Sequence, residues 1–245
     1  MVSSLRALKI RFFRTQDLFP TRRLLAAFAV LCLLSPVFLN CHYSDGVSIT
    51  VMPGGKTVLN RIAILPFQEI IPEDNAAKMA SCPLCGAVFN IDRSTASQIT
   101  AVEGVFMKRL QGFNKLTIIS PESASDVYRR VAASVKAPLP EILKQVGREL
   151  GADGLLVGYV FRYRERKGYP YSVEKPASVA FDVHLIRVSD GIVAWRGACD
   201  KTQSSLMENI LQIASFYKRG GRWLTAKELT EEGVSERLKT FPGIE

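Results

Sequence analysis

A chain of 245 residues is long enough for one well-filled core or two small ones. Its 47% hydrophobic and 22% charged residues argue against wholesale disorder. The net charge of +9 suggests a nucleic-acid ligand until it is placed: Arg6, Lys9, Arg11, Arg14, Arg22 and Arg23 face the single acid Asp17 in residues 1–40, so +5 of it lies in a segment expected to be removed. No nucleic-acid partner is therefore expected.

Leu24 to Leu39 reads LLAAFAVLCLLSPVFL, sixteen residues without a charge, directly after Arg22-Arg23. A basic stretch followed by a short apolar run is a secretory signal, because cations stay inside while the apolar segment enters the bilayer. The run falls short of the roughly 20 residues that a stable span needs. A permanent single-span anchor is the competing reading. The twin arginines also permit export of a folded protein, but the general route is favoured because no cofactor is expected. Cys41 follows the apolar run where a bacterial lipoprotein signal places its lipidated cysteine, and the stretch resembles that signal in part. Phe38 and Asn40 stand where the pattern expects small residues. Residues 1–40 are read as the signal peptide, Cys41 as a lipid anchor carrying acyl chains such as palmitate, and 41–60 as a polar, turn-rich tether. His42 after the cysteine leans towards the outer membrane rather than the inner.

Residues 61–245 are expected to form a single α/β domain. Arg61-Ile62-Ala63-Ile64-Leu65-Pro66-Phe67 is a buried central strand. Residues 68–95 carry no clear period and read as a long ordered excursion. Ile99, Val102, Phe106, Leu110 and Phe113 form one stripe of an amphipathic helix. Lys115–Ser120 is a short strand, and Ser120-Pro121 opens a second helix. A third begins at Pro140, presents Ile142, Leu143, Val146 and Leu150, and stops at Gly151. Gly154–Val160 is a strand. Val179, Phe181, Val183 and Leu185 alternate with Ala180, Asp182, His184 and Ile186, a strand with one face buried and His184 turned from it. Asp190-Gly191 turns the chain into an antiparallel return over 192–202. Capping boxes Ser205/Glu208 and Thr225/Glu228 open helices to about Phe216 and Thr240. This order predicts a mixed five-stranded sheet, part parallel and part antiparallel hairpin, flanked by helices.

The opening RIAILPF after a lipoprotein leader, then KLTIISP, GADGLLVGYV and the IRVSDGIVAW hairpin, resembles periplasmic domains of the TolB N-terminal, CsgG and LpoB type over residues 61–202. The resemblance implies a binding or assembly part of the envelope, such as a synthase activator or a secretion accessory. It implies no catalytic residue. The 68–95 excursion and the Gly220-Gly221-Arg222-Trp223 tail depart from that group.

Cys82-x-x-Cys85 is the sharpest chemical motif. In an oxidising compartment a disulfide stapling the excursion is expected. The CPxCG form also resembles one zinc knuckle, but tetrahedral zinc needs four ligands. The further candidates, Cys199 and His184, lie on expected strands, so no metal and no cofactor is predicted. A thiol-redox role needs the first cysteine at a helix N-terminus. Cys199, in step with Val193 and Trp195, reads as a buried free thiol. Asp153 and Asp182 lack the spacing of a catalytic carboxylate pair. Phe161–Tyr171 mixes cations with aromatics, as a partner-binding edge would, although a solvated strand end and loop whose charges guard a sheet edge is the favoured reading. Trp223 is read as packing the last helix onto the domain.

The expected function is a non-catalytic, lipid-anchored envelope module that faces the periplasm and binds a periplasmic protein, with oligomerisation possible. The alternative is a thiol-redox or metal-binding protein centred on Cys82 and Cys85.

Overall fold

The computed structural model describes residues 59–72, 74, 76–203 and 222–242. The leader, Cys41, most of the tether and the helix expected from Ser205 lie outside the described residues. In chain order the elements are β1 (Arg61–Ile64), β2 (Gln68–Glu69), β3 (Met79–Ser81), β4 (Val88–Asn90), α1 (Ala96–Leu110), β5 (Thr117–Ile119), α2 (Pro121–Ser134), α3 (Leu139–Glu149), β6 (Gly154–Arg164), β7 (Lys167–Tyr169), β8 (Ser172–Lys175), β9 (Ser178–Arg187), β10 (Val193–Thr202) and α4 (Ala226–Leu238).

The main sheet runs β10-β9-β6-β1-β5, with β2 added beside β6. β1 pairs in parallel with β5 and β6, while β9 pairs antiparallel with β6 and β10. This is the expected mixed sheet, flanked by helices. β3–β4 and β7–β8 form two separate hairpins.

Local chemistry explains the helix boundaries. Thr95 and Gln98 close a capping box on α1, and Lys108 and Arg109 complement the dipole in its last turn. Ser120 caps α2 with Pro121 in its first turn. Gly151, at φ 61°, ends the α3 segment in a conformation that glycine tolerates without steric cost. Thr225 and Glu228 box the start of α4.

Both faces of the sheet are covered. On one, Phe106 of α1 meets Phe181 edge-on at 5.5 Å and Phe67 at 5.5 Å, with Leu229 and Val234 of α4 in the same core. On the other, Val131 of α2, Leu143 and Val146 of α3, and Cys82 and Phe89 of the β3–β4 hairpin pack on Leu155, Phe161 and Ile186.

Three sequence expectations change. The 68–95 excursion contains β2 and the β3–β4 hairpin, which lies on the sheet through Phe89 stacked on Phe161 at 4.3 Å. β9 is buried on both faces: Asp182 and His184 are 0% exposed, because the hairpin and Arg196 cover the face that alternation assigned to solvent. The start of the 161–171 segment is not a solvated strand end. β6 runs on to Arg164, a register shift falls between Val160 and Arg162, and Phe161, Arg162 and Tyr163 are all buried. Arg162 donates to Ser178 Oγ at 2.6 Å and to the Asn90 carbonyl at 2.7 Å, and it pairs with Asp200. Tyr169 and Tyr171, by contrast, stand exposed on the β7–β8 hairpin.

Candidate functional site

The Cys82–Gly86 segment forms the turn of the β3–β4 hairpin. The Cys82 amide donates to the Ala87 carbonyl at 2.8 Å, and the Gly86 amide donates to the Cys82 carbonyl at 2.9 Å. Gly86 takes φ 72°, a left-handed conformation in which a side chain would be strained. Two bonds fix the hairpin's far end to β6: Arg162 on the Asn90 carbonyl, and the Asp92 amide on the Phe161 carbonyl at 3.0 Å.

Asp182 and His184 lie two residues apart on β9, so both side chains leave the same face of the sheet. That face meets the hairpin turn. Cys82 Sγ lies 3.8 Å from His184 Nε2, and the Cys85 thiol is 3.2 Å from Asp182 Oδ2. His184 Nε2 is 3.7 Å from Asp182 Oδ2. The four ligand-capable atoms all lie within 4.8 Å of one another. Cys82, Asp182 and His184 are buried, and Cys85 is exposed.

Arg196 of β10 completes the surroundings. Its Nε donates to Asp182 Oδ1 at 2.9 Å and Oδ2 at 3.1 Å, and its Nη2 donates to Oδ2 at 2.8 Å. Tyr159 of β6 closes another side, with its ring edge-on to His184 at 6.4 Å. His184 Nδ1 is buried with no hydrogen-bond partner among the described residues.

Burial, then the charge of Asp182, pushes the Cys82 thiol up to about 12. Burial likewise raises Cys85 and lowers His184. Without a cation the cluster thus holds two neutral thiols, a neutral imidazole and an Asp182–Arg196 ion pair.

The sequence-derived candidates divide accordingly. Cys82 and Cys85 are brought together as free thiols, in place of the expected disulfide. Cys82 sits in a hairpin turn, so the helix N-terminus that the redox reading required is not its setting. Cys199 is a buried free thiol on the opposite face, beside Gly233 of α4, and burial raises it to about 12. Cys41 lies outside the described residues. The absence of a second ligand pair was the ground for expecting no metal, and β9 supplies that pair as Asp182 and His184. Neither Asp182 nor Arg196 stands out in the sequence. The available signal was the Asp-x-His spacing on a strand, which puts two ligand types on one face.

No family model and no curated protein matches the chain. Among solved structures, similar folds include a PelC dodecamer from Paraburkholderia phytofirmans at 13% identity and TM-score 0.44, covering 81% of this chain and 96% of that one. Lipoprotein GNA1162 from Neisseria meningitidis follows at 12% identity and TM-score 0.35, covering 66% of this chain and 98% of that one. The LpoB C-terminal domain from Escherichia coli is similar at 12% identity and TM-score 0.36, covering 62% and 90%. At TM-scores below 0.5 these similarities carry neither family membership nor function to this chain. The fold defines the class: a mixed α/β sheet domain covered on both faces.

Proposed function

We propose that the chain is an exported envelope protein, anchored by lipid on Cys41, whose α/β domain faces the periplasm as a non-catalytic binding or assembly module. The observation that carries the non-catalytic reading is the sealing of the reactive cluster. Cys82 is 3% exposed and Asp182 and His184 are 0% exposed; Cys85 alone of the four reaches the surface, so a substrate does not meet a nucleophile, an acid and a base together. A catalytic site needs these groups within reach of the reacting atoms. The anchor rests on the leader and on the position of Cys41. Among the described residues, no helix is long and apolar enough to cross a membrane. For the partner surface, the β7–β8 hairpin offers exposed Tyr169 and Tyr171, a residue type favoured where proteins meet.

Intact mass of the membrane-extracted protein tests this reading. A mass for residues 41–245 plus a diacylglyceryl or triacyl group supports it. Retention of residues 1–40 overturns the anchor, and rapid native-state alkylation of Cys82 overturns the sealed, non-catalytic domain.

A further inference from the structure

We propose that Cys82, Cys85, Asp182 and His184 bind one zinc ion, which pins the β3–β4 hairpin to β9.

The donor set comes first. Two cysteine sulfurs, one imidazole nitrogen and one carboxylate oxygen suit a borderline-soft, four-coordinate ion. Calcium and magnesium take oxygen ligands in larger numbers, so this set disfavours them.

The spacing is the second observation. Ligands at ordinary zinc distances on a tetrahedron stand about 3.3–3.8 Å from one another. Here three of the six separations are 3.8 Å (Cys82 Sγ to His184 Nε2), 3.2 Å (Cys85 Sγ to Asp182 Oδ2) and 3.7 Å (His184 Nε2 to Asp182 Oδ2), and all six lie within 4.8 Å, so the set needs only a small contraction to close on one ion. A nitrogen and an oxygen 3.7 Å apart are too distant for a hydrogen bond. His184 is therefore a fully buried imidazole whose Nε2 has only the weak 3.8 Å contact with the Cys82 sulfur. Its Nδ1 has no hydrogen-bond partner among the described residues. A buried polar group left in that state is unfavourable. Donation of the Nε2 lone pair to a cation relieves part of that and fixes the ring's tautomer, with the proton on Nδ1.

Charge provides an independent check. Two thiolates and one carboxylate around a divalent ion leave a single negative charge, and the Arg196 guanidinium held on Asp182 cancels it. Zinc enters as the two thiols release their protons to solvent, and no oxidant or reductant is involved.

Four protein ligands leave no open coordination position, so the ion is structural rather than catalytic. Cys85, exposed at the turn, provides the access route. Neither the lipid anchor nor the partner surface enters this reasoning. Zinc binding by a chain that keeps its leader would overturn the anchor and leave the metal site standing.

The test uses the full chain extracted in detergent, reduced, stripped with chelator and titrated with zinc(II), and with cobalt(II) as an optical probe. One equivalent of cobalt should bind with the intense visible bands of a tetrahedral site and a thiolate-to-cobalt charge-transfer band, both abolished by zinc. Cys85→Ser, at an exposed position where folding can be checked by circular dichroism, should weaken zinc binding by at least about tenfold, since even supporting residues around metal sites contribute about 10–100-fold. Cys199→Ser should leave it unchanged. His184→Gln should remove the tetrahedral spectrum if it folds. A reduced, folded chain that takes up no zinc, or a folded Cys85→Ser chain that binds it as tightly as the parent, overturns the proposal.

Discussion

Arg162→Met is the sharpest test of how the hairpin is held. Arg162 is 7% exposed, and its guanidinium joins three elements: Ser178 of β9, the Asn90 carbonyl of β4 and Asp200 of β10. Removing one member of a buried ion pair costs about 3–5 kcal/mol when the other is stranded. Asp200 is 39% exposed and regains water, so that figure is discounted. Ser178 Oγ keeps Thr202 Oγ1 at 2.6 Å. The Asn90 carbonyl, facing an apolar side chain, accounts for about 1–3 kcal/mol. Methionine fills much of the vacated volume, so a net loss of about 2–3 kcal/mol is expected. Urea unfolding of the full chain, followed by tryptophan fluorescence, should show the midpoint fall with an unchanged slope. Because Arg162 fixes the end of the hairpin, Cys85 should also alkylate faster in the native protein. A loss below about 0.5 kcal/mol, within the range of ordinary surface substitutions, would refute the reasoning.

A side chain at Gly158 would put a β-carbon 2.6 Å from three atoms of the Phe67 ring. Gly158→Ala should therefore cost about 1–3 kcal/mol by overpacking, and Phe67→Leu in the same chain should return part of it in paired urea melts. Glu228 accepts hydrogen bonds from Arg222 and from the Thr225 amide, and the Arg222 bond does most to hold its carboxyl down at about 2. A depressed carboxylate stabilises the fold above its ordinary value near about 4.3 and loses that contribution as pH falls towards its folded value. Glu228→Gln should cost about 0.5–1 kcal/mol at pH 7, discounted for exposure of the pair, and the gap from the parent should narrow between about pH 4.5 and pH 2. A gap that stays constant in thermal melts across that range would show that the charge is not what matters.

Much of the architecture was legible in the chain because it is written in local chemistry. Ser120-Pro121, Thr225 with Glu228, and Gly151 mark helix ends through the hydrogen bonds or backbone angles they favour, and each marks one here. Alternation over Val179–Ile186 correctly sorted those residues onto two faces. What covers a face is a different matter, because periodicity reports which side chains travel together and carries no information about the segment that lands on them. Asp182 and His184 were therefore assigned to solvent although both are sealed. The strand register sets Arg196 opposite His184 and Tyr159 opposite Asp182. The Phe89–Phe161 stack and Arg162 then lay the hairpin over that face. Cys82 and His184 stand 102 positions apart along the chain. No local rule couples residues so distant, so their meeting was decided by tertiary packing, through the covering of a second apolar face of the sheet.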